Sequence, residues 1–351
     1  MAVADEGGIK RGKQCILRVP VTSIAASTTI PTTIPTTTLD YVYVYERTHK
    51  PVIDSCVLQR IRHLRIPPAY VDVVISGCKN DKIQAIGYDT KGRKQTLYAK
   101  WFVEKQNSIK FARVMKLEKT IGKIQHHVNK TIRDATNWLS KYTHALESKS
   151  HSTIHLLQFK MKTLQICVIV KLMILCNFRI GNRSNAERYK SYGLTTIEWR
   201  HITVDENKKQ IVFSFIGKKG VLNKAICKNN SIFKVITAMY ALQTLKCHNT
   251  TGNMLLHKRI FKVTSYDVNN YLKSFDENIS SKDLRTWQAN VLFMKYFIKN
   301  DENTVSTTKR QMNALKKVAF DLHNTVAVCK KSYIYPELLE NSDTLKTIVD
   351  S

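Results

Sequence analysis

Residues 164–178 read LQICVIVKLMILCNF, the longest apolar run in the chain. How that run is read decides the kind of fold. A helix that crosses a bilayer needs about 20 predominantly apolar residues. This run is shorter and is interrupted by Lys171, so the expectation is a helix buried in a protein core. No signal-peptide pattern opens the chain, and no membrane association is expected.

N-terminal to this helix, Val114, Leu117, Ile121, Ile124, Val128, Ala135 and Trp138 recur mostly at intervals of three and four. That is one apolar stripe on a helix that starts near residue 106. Lys116, Lys119, Lys123 and Lys130 lie off the stripe and read as a solvated face. C-terminal to the run, LTTIEWRHITV (194–204), QIVFSFIG (210–217) and VLNKAI (221–226) read as three strands turning at DENKK and KKG. More helix follows to the end. Upstream, DYVYVYE (40–46) and AYVDVVISGC (69–78) read as strands, and 82–100 as a hairpin turning near Asp89 to Gly92. TTIPTTIP sits in a Thr-rich run without periodicity, so residues 1–40 are expected to be a disordered tail. The fold class is α+β. A small β-rich N-terminal domain spans 41–105, and a larger, mainly α-helical domain with a small antiparallel sheet spans 106–351.

The 351 residues carry 56 lysines and arginines against 27 acids, a net charge of +29. Residues 1–40 contribute +1 and residues 334–351 contribute −3, which leaves +31 on the span between. Such an excess repels itself unless a polyanion shares the field. Nucleic acid is the expected partner, because phosphate neutralisation releases counterions; a merely solvated, lysine-rich surface is the alternative. The eight cysteines are scattered and form no CxxC. Cys247, His248 and His257 lack a second pair for a zinc site, so free thiols and no metal are expected.

Four stretches concentrate groups suited to phosphate chemistry. FRIGNRSNAERYKSYGLTTI (178–197) carries Arg179 at the end of the apolar helix. FIGKKGVLNK (215–224) puts Lys218 and Lys219 at a hairpin tip. SSKDLRTWQAN (280–290) has Lys282 and Arg285 one helical turn apart. HNTVAVCKKSYIYPEL (323–338) holds Tyr333 and Tyr335 after an adjacent His323-Asn324 pair.

Together, in this order, these motifs resemble the poxvirus, giant-virus and bacterial branch of the type IB DNA topoisomerases. RIPPAYVDVVI (65–75) and GYDTKGRKQTLYAKW (87–101) resemble that branch's small N-terminal domain. The resemblance covers roughly residues 41–338. It implies a tyrosine that attacks a DNA phosphodiester, leaves a 3′-phosphotyrosyl enzyme, and relaxes supercoils before religation. Neither ATP nor a metal cofactor is implied. In the pattern S-Y-I-x-P the nucleophile is Tyr333, and Tyr335 takes the variable position. Arg179 and Arg285 match the guanidiniums that stabilise the transition state. Lys218 matches the general acid for the 5′-oxygen, with Lys282 assisting.

Asn324 takes the place of a phosphate-donating histidine, with His323 one residue earlier as the alternative donor. DNA contacts are implied for Lys219, Arg93, Gln95 and Tyr98. Two positions depart from the pattern. Asn185 replaces an aromatic, for which Tyr189 is the substitute, and Thr96 stands where a tyrosine is common. A tyrosine recombinase is the alternative reading. It is disfavoured because Lys282-Asp-Leu-Arg285 replaces that family's His-x-x-Arg and because the N-terminal module is β-rich. The expected partner is duplex DNA clamped by a monomer with no obligate protein partner. The expected locale is a nucleoid, or a virus factory or virion.

Overall fold

Period-2 alternation in YVYVY and IQAIGY lays down the strands of the N-terminal region. The computed structural model describes residues 9, 14–21, 41–147, 151–245, 255–299 and 306–340. The chain divides into two compact units, residues 1–108 and 109–351.

The first unit is a five-stranded antiparallel sheet of β1 (Ile16–Pro20), β2 (Tyr41–Tyr45), β3 (Val71–Ile75), β4 (Ile83–Tyr88) and β5 (Lys94–Tyr98), in the order β2-β1-β3-β4-β5. Helix α1 (Ser55–His63) is capped by Asp54, whose Oδ1 accepts from the backbone N–H of Cys56 at 2.8 Å and Val57 at 3.2 Å. Ile16, Val52, Ile61, Val73, Ile75 and Ala85 form its core.

Strand β1 corrects the expectation of a disordered tail over residues 1–40. It lies inside the sheet, with Ile16 opposite Tyr45 on one side and Ile75 on the other. Buried Arg18 donates to the carbonyls of Pro67 at 3.1 Å, Pro68 at 3.3 Å and Tyr70. Its guanidinium also sits 4.4 Å from the centre of the Tyr41 ring. Five residues are too few to show alternation, and their partners lie 21 to 59 positions away, so local pattern could not reveal the strand. The Thr-rich run itself lies outside the described residues.

Helix α2 (Lys100–Glu147) begins six residues before the start expected near residue 106. Its first turn is held instead by aromatic contacts: Phe102 lies 5.2 Å from Tyr98 and 5.7 Å from Trp101, ring centre to ring centre.

In the second unit, Leu117, Ile121, Ile124, Val128, Ile132, Ala135 and Leu139 of α2 pack with α3 (His151–Cys176). From Leu164 to Met173 only Lys171 of α3 is not buried; it donates from Nζ to Asn129 Oδ1 at 2.8 Å. A helix that is apolar all round belongs in a core. Among the described residues, no helix is long and apolar enough to cross a membrane.

After α3 come α4 (Arg183–Tyr189), then a three-stranded antiparallel sheet of β6 (Ile202–Asp205), β7 (Gln210–Ile216) and β8 (Leu222–Cys227) in that order. Phe213 and Phe215 of β7 meet Phe178 edge-on, at 5.4 and 4.9 Å between ring centres. The first of these strands is shorter than the 194–204 expected. Thr195 and Thr196 spend their hydroxyls on the backbone of Ile180 and Gly193, and residues 199–201 form a 3-10 turn, so no ladder can start before Ile202.

Helices α5 (Asn230–Leu245), α6 (Ser265–Lys273), α7 (Ser281–Lys299), α8 (Thr307–Asp321), α9 (Val326–Ser332) and α10 (Pro336–Glu340) complete the unit. A second core cluster joins α7, α8 and α9 through Phe293, Phe297, Leu315, Val318, Leu322 and Cys329.

Replacing Arg18 by methionine keeps much of its packing but strips three carbonyls of their donor. The expected loss is about 2 kcal/mol, read as a lower urea midpoint for the first unit. An unchanged midpoint would mean that Arg18 does not hold β1 in the sheet.

Candidate active site

Four chain segments of the second unit meet where α3, the β7–β8 hairpin, the start of α7 and the end of α9 come together. Arg179 stands three residues beyond α3. The backbone around it is fixed by neighbours: Arg179 O accepts from Leu194 N at 3.0 Å, and Ile180 O accepts from Thr195 N at 2.8 Å. Gly181 has a φ of +91°, and a Cβ there would lie 2.9 Å from the Cα of Gly193. Only glycine tolerates both the left-handed backbone and that approach. The guanidinium of Arg179 donates from Nη2 to Asn324 Oδ1 at 2.7 Å.

Arg285 is 6% exposed on α7. It donates to the carbonyl of Asn177, just past α3, and to the carbonyl of Leu322, just past α8. Its guanidinium carbon lies 5.6 Å from the centre of the Tyr333 ring. Burial and the nearby Arg179 charge lower its pKa to about 10, so it remains a cation at neutral pH.

Tyr333 caps the C-terminal end of α9. Burial alone would raise its pKa. The Arg285 and Arg179 charges, with the neighbouring Arg285 and Asn324 donors, outweigh that and hold the phenol below its ordinary value. Tyr335, two residues on, is treated oppositely by its surroundings. It is 9% exposed, its hydroxyl donates to the carbonyl of Phe111 at 2.5 Å, and burial pushes its pKa up.

Asn324 gives Oδ1 to Arg179, which leaves its Nδ2 as a donor toward Tyr333 and Cys329. His323 has a left-handed backbone, with φ of +51°, and meets Phe178 edge-on at 5.7 Å. Burial, then the Arg285 and Arg179 charges, lower its pKa to about 4, so the ring is neutral at pH 7. Its Nδ1 lies 3.2 Å from Phe320 O, which sets Nδ1 as the protonated nitrogen and Nε2 as an acceptor.

Lys218 and Lys219 sit in a 3-10 turn at the tip of the β7–β8 hairpin, Lys219 with φ of +63°. Partial burial and the Arg179, Lys219 and Lys282 charges lower the Lys218 pKa, against a raising contribution from Tyr333. Lys282 is exposed on the first turn of α7, one turn before Arg285. The structure thus brings Arg179, Arg285, Asn324 and Tyr333 into contact and sets Lys218 and Lys282 within their field. Tyr189 ends α4, partly buried, and Asn185 is exposed on that helix.

In the first unit, Asp89 organises the β4–β5 hairpin. Its Oδ2 accepts from Arg93 Nε at 2.8 Å and Gln95 Nε2 at 2.9 Å. The Arg93 hydrogen bond holds the Asp89 pKa down at about 2. Gln95 and Tyr98 lie on β5, the edge strand of its sheet, and Arg93 immediately precedes it. Tyr98 is exposed.

Two groups beside Tyr333 escaped the sequence reading. Asn290 donates from Nδ2 to Tyr333 O at 2.9 Å and accepts at Oδ1 from Tyr335 N at 2.9 Å, so one amide holds the backbone on both sides of Ile334. Lys110, buried on α2, donates from Nζ to Ser332 O at 2.8 Å. Its signal was available: Lys110 lies four residues before Val114, on the apolar stripe itself, where an unpaired cation is out of place. Among the described residues, no three His, Cys, Asp or Glu side chains cluster as metal ligands.

The assembled groups are those of a phenol set among cations that can receive a phosphate. Comparison with known proteins agrees with that chemistry. Residues 138–348 match the family described as eukaryotic DNA topoisomerase I, catalytic core, and residues 40–89 match the bacterial DNA topoisomerase IB N-terminal domain. The chain is 27% identical over 314 residues to DNA topoisomerase 1B of Acanthamoeba polyphaga mimivirus, covering 86% of this chain and 84% of that one. It is 24% identical to DNA topoisomerase 1 of rabbit fibroma virus, over 83% of this chain and 84% of the relative. Against DNA topoisomerase 1B of vaccinia virus, strain Copenhagen, it is 23% identical over 82% of each. With the catalytic-core family matched across more than half of its length, the chain belongs to the type IB DNA topoisomerases and is an enzyme that acts on DNA.

Proposed function

We propose that this topoisomerase relaxes supercoils by exchanging one ester for another at Tyr333. The phenolic oxygen attacks a backbone phosphorus and forms a 3′-phosphotyrosyl bond as the 5′-oxygen departs. The free 5′ end swivels, and its hydroxyl then attacks the phosphotyrosine to restore the strand. The observation that carries this reading is the contrast between two tyrosines two residues apart. Tyr333 is drawn toward the phenolate by Arg285 and Arg179, and Tyr335 is locked as a neutral donor to Phe111. A phenol with an ordinary pKa of about 10 is a weak nucleophile at neutral pH, so only the first is activated.

Arg179 and Arg285 take the non-bridging oxygens, where charge gathers in the transition state. Asn324 donates through Nδ2, a neutral hydrogen bond where a cation would give more. His323 is the poorer candidate, because its Nε2 has no proton to offer a phosphate oxygen. Lys218 protonates the departing 5′-oxygen, and Lys282 assists. Lys219, Arg93, Gln95, Tyr98 and Tyr189 contact the DNA, with Arg93 and Gln95 exchanging Asp89 for phosphate or base. Because the phosphotyrosyl ester retains the energy of the broken bond, the cycle consumes no ATP and needs no metal. The enzyme works as a monomer clamped on duplex DNA, in a nucleoid or in a virus factory or virion.

Tyr333→Phe abolishes the covalent protein–DNA adduct, and Tyr335→Phe retains it, as seen by denaturing gel with end-labelled duplex. The reverse pattern would overturn the assignment. Lys218→Ala slows cleavage by about 10²–10⁴-fold. A duplex with sulfur at the 5′-bridging position, a leaving group that needs no proton, restores most of that rate. No recovery would remove Lys218 from the role of acid. Relaxation of plasmid proceeds in EDTA without ATP, and strict dependence on a divalent cation would contradict the mechanism.

A further inference from the structure

We infer that Lys110 is a positioning residue for the nucleophile, its ammonium tying helix α2 to the peptide carbonyl immediately before Tyr333. The inference rests on the reading of Tyr333 as nucleophile. Lys110 is 6% exposed, which is rare for a lysine unless it is put to use. Its Nζ donates to Ser332 O at 2.8 Å and lies 4.0 Å from the centre of the Phe111 ring. The backbone that carries Tyr333 is thus held at consecutive points: Lys110 takes Ser332 O, and Asn290 takes Tyr333 O and Tyr335 N.

The charged groups around Lys110 come from three elements. Lys282 and Asp283 face it from α7, Arg113 from α2 itself, and Tyr333 from the end of α9. Asp283 is committed elsewhere, to Arg113 at 3.4 Å and to Ser280, whose backbone N–H and Oγ donate at 3.0 and 2.6 Å. The favourable partners of the Lys110 cation include the Ser332 carbonyl and the Phe111 ring, and negative charge that develops on Tyr333 lies within its field. Burial first, then the Lys282 charge, bring its pKa down to about 8. The sign follows directly. The ammonium tie and its attraction to the Tyr333 phenolate are present below that pH and fade as pH rises through it.

The test is single-turnover cleavage of a nicking duplex from pH 6 to pH 9.5 by the wild-type chain and by Lys110→Met. DNA affinity is measured in parallel. At pH 7 the methionine variant cleaves about tenfold more slowly, the scale of one lost charge-assisted hydrogen bond, with unchanged affinity for DNA. The wild-type-to-variant rate ratio then falls toward one as pH rises past 8. Titration of Lys218 affects both proteins and cancels in the ratio, whereas loss of the Lys110 charge moves the Tyr333 titration and is part of the effect read. A ratio that stays flat with pH, or a defect confined to DNA affinity, would overturn the inference.

If Lys110→Met loses folded protein by circular dichroism, Lys110→Arg decides in its place. The arginine variant stays charged, so its rate relative to wild type rises above pH 8 if the tie acts through charge and stays level if it does not. Tyr333→Phe, run alongside, separates the two readings. An adduct that survives in Tyr333→Phe defeats the nucleophile assignment. An adduct lost there, with wild-type and Lys110 variants alike at every pH, defeats only the role of Lys110.

Discussion

A buried guanidinium holds the catalytic unit in its working shape. Arg285 has almost no contact with solvent, yet it is bonded to the carbonyl after α3 and to the carbonyl after α8, and it lies beside the Tyr333 ring. A charge taken out of water costs several kcal/mol unless every lone pair it meets is well placed. Two backbone carbonyls at helix C-termini suit it well, because those ends carry unsatisfied acceptors and partial negative charge. The same side chain that closes these two helix ends also sets the potential at the phenol. Structure and reactivity at this site are therefore not separable properties.

Electrostatics within the cluster run against themselves in a useful way. Arg179, Arg285, Lys110, Lys218 and Lys282 are like charges gathered near Tyr333, and Lys110, Lys218 and Arg285 have their pKa values pressed down. With DNA absent, this repulsion stands uncompensated. A phosphate entering the cluster relieves it, and the negative charge of the transition state relieves it further. In the proposed reaction, binding and catalysis would draw on the same repulsion, which a trigonal-bipyramidal phosphorane would relieve more than either ester.

Much of this was legible in the chain because the informative residues break local rules. Arg179 follows a long apolar run, Lys218 and Lys219 crowd a hairpin tip, and Lys282 and Arg285 share a helix face. What stayed hidden depends on contacts between distant segments. Strand β1 pairs with residues far along the chain and shows no periodicity of its own. Asn290 lies inside a quoted motif, but its two hydrogen bonds to the tyrosine backbone span more than 40 residues. Lys110 did break a rule, by interrupting an apolar stripe, but a single lysine on a long basic helix is masked by its neighbours. Whether His323 could donate as Asn324 can depends on which ring nitrogen carries the proton, a detail no sequence records.

The place of β1 in its sheet has a consequence for how the gene can be shortened. The strand is gripped by β2 on one side and β3 on the other, so the ladder fixes its location. A chain begun at residue 41 would therefore lack an inner strand of its sheet, leaving the facing edges of β2 and β3 unpaired and the carbonyls of Pro67, Pro68 and Tyr70 without their Arg18 donor.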